Sequence, residues 1–132
     1  MRFTERELTA ALEGAAKTVL ATQDKEVRKG RRTADDAWAS LTRYQRYQML
    51  AGLGDQLLGV LVALPDVEVE VGTRPSFTEE QIVRTVQEQA GEETRGLRGK
   101  VLLKARVALV QLALSHVPPR ADPDALVVPD HL

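Results

Sequence analysis

The chain has no cysteine in its 132 residues, which removes disulfide staples, thiolate nucleophiles and the common cysteine-bearing zinc motifs together. Aromatic residues are nearly as scarce: two Phe, two Tyr and one Trp. An excess of charge of one sign is missing too. With 18 basic against 19 acidic residues, no global field favours nucleic acid, an anionic membrane or an acidic substrate, so any such partner must be met by a local patch. The longest apolar run, Leu57 to Leu64, falls far short of the roughly 20 residues that span a bilayer. The charged start from Arg2 to Glu7 leaves no apolar leader. These absences lead to the expectation of a cytoplasmic protein with no membrane partner. Arginine outnumbers lysine and alanine is abundant, a codon-usage association with GC-rich bacterial or phage genomes.

Material for catalysis is thin. His-Glu-x-x-His, the phosphate loop G-x-x-x-x-G-K-[ST], the dinucleotide turn G-x-G-x-x-G and the nucleophile elbow G-x-S-x-G are all absent. The two histidines are His116 and His131. Ser115 beside His116 is no catalytic pair, because adjacent helical positions point about 100° apart. The acid pairs Asp35-Asp36, Glu79-Glu80 and Glu92-Glu93 suit the positive end of a helix. Neither a cofactor, a metal nor a catalytic residue is expected, and an enzyme without a recognisable motif is the third reading.

What is present is punctuation. Phe3-Thr4-Glu5-Arg6-Glu7-Leu8 and Phe77-Thr78-Glu79-Glu80-Gln81-Ile82 repeat one helix-start signature: a threonine cap, an acid or amide three residues on, and a flanking apolar pair to staple the entry. The six prolines, at 65, 75, 118, 119, 123 and 129, leave residues 1–64 and 76–117 free, so these two blocks read as helical. The spacing predicts a first helix of about 25 residues ending at Lys29-Gly30. Thr33 with Asp36 and Thr42 with Gln45 mark further starts, and residues 34–64 fit one helix or two. A helix from Glu79 to Gln89 and a last one from Leu97 to Val117 follow. The last is apolar nearly all round, with a narrow polar stripe of Lys100, Lys104, Gln111 and Ser115, which places it at the bundle centre or across a dimer interface.

Between the blocks, Asp66 to Val71 alternates acidic and β-branched residues with period two, the pattern of a half-buried strand over 67–71. The expected fold is therefore all-α: a four- or five-helix bundle-like domain over 1–117, with connector 65–75 carrying one short strand, and an extended proline-rich arm over 118–132. A lone strand needs a partner, which makes Val67, Val69 and Val71, with Leu126, Val127 and Val128 in the arm, candidate partner-docking residues.

Residues 17–32 hold six cations against two anions, and 95–106 hold five cations with no acid, while 65–93 hold eight acids against two arginines. These clusters either grip phosphates or complement one another internally. With Phe3 and Phe77 used at helix starts, stacking chemistry is confined to Trp38, Tyr44 and Tyr47. Trp38 with Leu41 fits a core, and Tyr47 falls in register with Leu50, Gly54, Leu57 and Leu61 as an ordinary core position. The leading expectation is a non-enzymatic interaction or regulatory module, homodimeric or bound to another protein. The alternative is a small nucleic-acid binder using Arg28, Lys29, Arg31, Arg32, Arg43, Tyr44 and Arg46.

Overall fold

The computed structural model describes residues 1–122. Each threonine start is built as the sequence marks it. Thr4, Thr33, Thr42 and Thr78 lie in extended backbone. Each hydroxyl accepts the N–H three residues on, and the Glu7, Asp36, Gln45 or Gln81 side chain accepts the threonine's own N–H. This reciprocal pairing satisfies donors that a helix end otherwise leaves open. The helices that follow are α1 (Glu5–Gln23), α3 (Ala34–Ser40), α4 (Arg43–Ala63) and α5 (Glu79–Ala90). A one-turn α2 (Lys25–Arg28), a 3₁₀ turn (Gly91–Thr94) and α6 (Gly96–Ser115) complete the order.

The all-α expectation is met. Helix α1 packs on α4 and α6, α5 packs on the same two, and α4 and α6 also touch each other. Four long helices thus form a ring closed across one diagonal, with α3 against α1. The core holds Ala11, Ala15 and Ala16 from α1, Leu53, Leu57, Val60 and Leu61 from α4, Ile82 and Val86 from α5, and Val107, Val110 and Ala113 from α6. Small residues on α1 let it approach its neighbours closely, and the branched residues of the other helices fill the space. Phe3, Leu8 and Phe77 pack at the edge of this cluster.

Several expectations are corrected. The first helix does not run to Lys29: it stops at Gln23, because Asp24 takes an extended conformation and its side chain accepts the Val27 N–H at 3.0 Å, capping α2 instead. An aspartate that bonds the nearby backbone competes with the helix ladder. For residues 34–64, where one helix or two fitted the pattern, two are formed, broken at Leu41-Thr42. The strand over 67–71 is not formed; the segment is irregular, and among the described residues there is no strand. Its alternation has another use, since Val67 and Val69 pack against the helical core while Val71 stays exposed. Leu126, Val127 and Val128 lie outside the described residues. The root of the arm is described, and it meets the end of the connector: the Gly72 N–H donates to the Arg120 carbonyl at 2.9 Å, and the Arg120 N–H to the Thr73 carbonyl at 2.8 Å.

Candidate interaction surfaces

The basic patch of residues 28–32 is divided by the fold. The Arg32 guanidinium folds back onto the Asp24 carboxylate, which holds that carboxyl below its usual range, with help from the Val27 N–H. Arg31 lies 3.5 Å from Glu26. Two of the four cations are therefore engaged with acids of their own segment. Arg28 and Lys29 stay exposed and form no ion pair among the described residues. Arg43, Tyr44 and Arg46 belong to the first turns of α4.

Tyr47 is not a core residue. It is 67% exposed, as Tyr44 is 66% exposed. At 100° per residue, Tyr47 falls about a quarter turn from the face that Leu53, Leu57, Val60 and Leu61 bury. Trp38 is buried, as expected. The tyrosines open a second apolar stripe along α4. Tyr44, Tyr47, Ala51, Gly54 and Leu58 repeat at alternating spacings of three and four, and Val62 extends the line. Leu58 is 37% and Val62 59% exposed, and Ala51 is exposed as well, whereas Gly54 is buried. Such spacing is the seam of a helix that meets another helix lengthwise. Helix α4 is thus apolar on two faces, and one of them has no partner within the described residues.

Helix α6 is divided in the same way. Its sequence places it at the bundle centre or across a dimer interface; one face is buried, through Val107, Val110 and Ala113. Leu97 is 84% and Val101 70% exposed, and Ala105 and Ala108 continue the line on the solvent side. Around them stand Arg95, Arg98, Lys100 and Lys104, while Arg106 falls on the far side of the helix; of these five cations Arg95 alone has an ion pair among the described residues, at 3.7 Å from Glu92. Internal complementarity between the acidic middle and this basic cluster is therefore confined to that one exposed contact.

Two polar arrangements were invisible in the sequence because their members are about a hundred positions apart. Glu7 is 3% exposed; its carboxylate accepts from the Thr4 N–H at 2.8 Å and from Arg120 Nε at 2.9 Å. Midway along α1, Gly14 gives His116 a notch, and the imidazole Nε2 lies 3.3 Å from Thr18 Oγ1. The threonine hydroxyl donates to the Gly14 carbonyl at 3.0 Å. This corner borders an open cleft of about 540 Å³ lined by Ala10, Glu13, Lys17, Ala34 and Asp35. Lys17 Nζ is 3.0 Å from Asp35 and 3.4 Å from Glu13, and those pairs, the Asp35 one foremost, raise its pKa. A lysine held cationic between two carboxylates is no nucleophile.

No cluster of three or more histidine and acidic side chains suited to a metal ion occurs among the described residues. No helix there is long and apolar enough to cross a membrane. The fold and its surfaces define a helical bundle-like domain with outward apolar faces on two helices. No described protein family, curated protein or solved structure matches the chain.

Proposed function

We propose that the protein is a non-enzymatic, cytoplasmic protein-interaction module that works as a homodimer through the outer face of α4. The observation that supports this reading is the stripe itself, exposed at every member but Gly54. A buried face already fixes α4 in the bundle, so a second apolar face adds nothing to folding of the single chain, and a contiguous exposed apolar patch marks an interaction surface. From either end the stripe is large at the tips and small at the middle: Tyr44, Tyr47, Ala51, Gly54, Leu58, Val62. An antiparallel two-fold pairing sets Tyr44 against Val62, Tyr47 against Leu58 and Ala51 against Gly54 of the second copy. Isologous contacts require this self-complementarity. Gln48 on one copy then flanks Asp55 of the other, and the Arg43 and Arg46 pairs fall at opposite ends of a seam about 27 Å long at 1.5 Å per residue.

Sedimentation equilibrium tests the reading. The wild-type chain is expected to sediment as a dimer and Tyr47→Glu with Leu58→Glu as a folded monomer. Because the chain has no cysteine, a mixture of Ala51→Cys and Gly54→Cys chains reports the register directly: mild oxidation should yield a covalent dimer of one variant with the other, whereas Arg28→Cys chains should yield none. A monomeric wild type would sink the proposal. Duplex DNA bound at low salt, with affinity lost on charge reversal at Arg28 and Lys29, would favour the nucleic-acid reading instead.

A further inference from the structure

The outer face of α6 is built differently from that of α4. Leu97, Val101, Ala105 and Ala108 form a ridge at spacings of four, four and three, which keeps them on one side of the helix. Lys100 and Lys104 flank it on one side and Arg98 on the other. These cations crowd the N-terminal half of α6, where the helix dipole is positive and disfavours them. The first turn carries no acid, and Arg95 supplies no side-chain cap. Alongside runs a groove of about 390 Å³ between α5 and α6, with Val83, Leu103 and Val107 among its lining residues and Glu79, Lys104 and Gln111 contributing polar groups.

We infer that this face docks an acidic, leucine-bearing amphipathic helix from a protein partner, laid along α6 beside the α5–α6 groove. The ridge takes the partner's apolar residues, and its acids meet Arg98, Lys100 and Lys104. Charge complementarity selects this occupant over the others. A second copy of α6 in antiparallel contact would bring Lys104 against Lys104 of that copy. A planar anionic lipid surface would also meet the exposed Glu92 and Glu93 in the turn just before α6, and the ridge has no aromatic residue to insert at an interface. Nucleic acid would find aliphatic side chains where stacking rings or base-reading amides are needed. A discrete helix uses both the apolar ridge and the cations.

The test uses the full chain carrying Tyr47→Glu and Leu58→Glu, so that its outcome is independent of α4 pairing. The probe is a fluorescein-labelled synthetic peptide with leucines at helical spacing of three and four and glutamates elsewhere; its scrambled isomer is the control. The periodic peptide is expected to bind, and Lys100→Glu with Lys104→Glu should weaken binding at least about tenfold, as should Leu97→Asp alone. All three sites are exposed, and circular dichroism verifies folding. Replacing the peptide glutamates by lysine should restore binding to the Lys100→Glu/Lys104→Glu chain. Absence of binding, equal binding of the scrambled peptide, or preference for phosphatidylserine vesicles or duplex DNA would overturn the inference.

Discussion

A Cβ added at Gly14 would overlap the Cβ and Cγ of His116, atoms near the His116 backbone that cannot move aside as the tip of a long side chain could. Gly14→Ala is therefore expected to destabilise the fold by about 1–3 kcal/mol, the usual range for overpacking. His116→Gly in the same chain should recover most of it, a coupling that chemical denaturation of the four-member cycle would reveal. Arg120 matters through Glu7. Removing its guanidinium leaves a buried carboxylate with only the Thr4 N–H, so Arg120→Ala should cost about 3 kcal/mol. Glu7→Gln added to Arg120→Ala should restore part of the loss, since the amide keeps the capping bond without the charge. Asp24 gives a pH signature. Its carboxyl is held low by Arg32 and the Val27 N–H, so its contribution is present above the unfolded value of about 3.8 and fades as pH falls through the lower folded value. The stability gap between wild type and Asp24→Asn should thus narrow below about pH 3.8, which denaturant titrations across the acid range would check.

Helix elements show what local chemistry specifies. The four threonine boxes were legible because each needs only three residues of context, and all four are formed. Thr→Ala at positions 4, 33, 42 or 78 should cost about 1 kcal/mol each, and the losses should add for boxes far apart. Guanidinium denaturation of singles and a Thr42/Thr78 double gives the measurement, and a negligible loss at both would mean the caps are idle. Elements were misread where one local pattern had two outcomes. Asp24 was continuous with the apolar periodicity of α1 but capped the next turn instead. The period-two run Val67 to Val71 had the alternation of a strand, yet a ladder needs a second strand. The end of α4 holds Met1 against the connector's start: its ammonium donates to the carbonyls of Val62, at 2.8 Å, and of Leu64. The Val67 N–H points at the Met1 sulfur at 3.4 Å.

At the scale of the whole molecule, α4 and α6 each turn a second apolar face outward. If α4 pairs with a second copy, folding is coupled to association, and the melting temperature of the wild type should rise with protein concentration. That of Tyr47→Glu with Leu58→Glu should stay constant over the same range, as scanning calorimetry at several concentrations would show. A wild-type melting temperature independent of concentration would argue against a dimer that forms on this face. The candidate interface was only partly visible beforehand. Tyr44 and the surplus apolar side of the last helix stood out by composition, but the α4 stripe did not, because Tyr47 shares a register with both the buried and the exposed edge of its helix.

The sequence alone determined the all-helical class, the four threonine-capped helix starts and the absence of cysteine chemistry, since caps, proline positions and composition act through neighbours along the chain. Only the tertiary structure decided which of two apolar faces each of α4 and α6 buries, that Arg31 and Arg32 turn back onto Glu26 and Asp24, and that Glu7 meets Arg120 across 113 positions. The reason is physical: a helix apolar on two sides has no local preference between them, and a buried ion pair exists only once packing has brought its halves together.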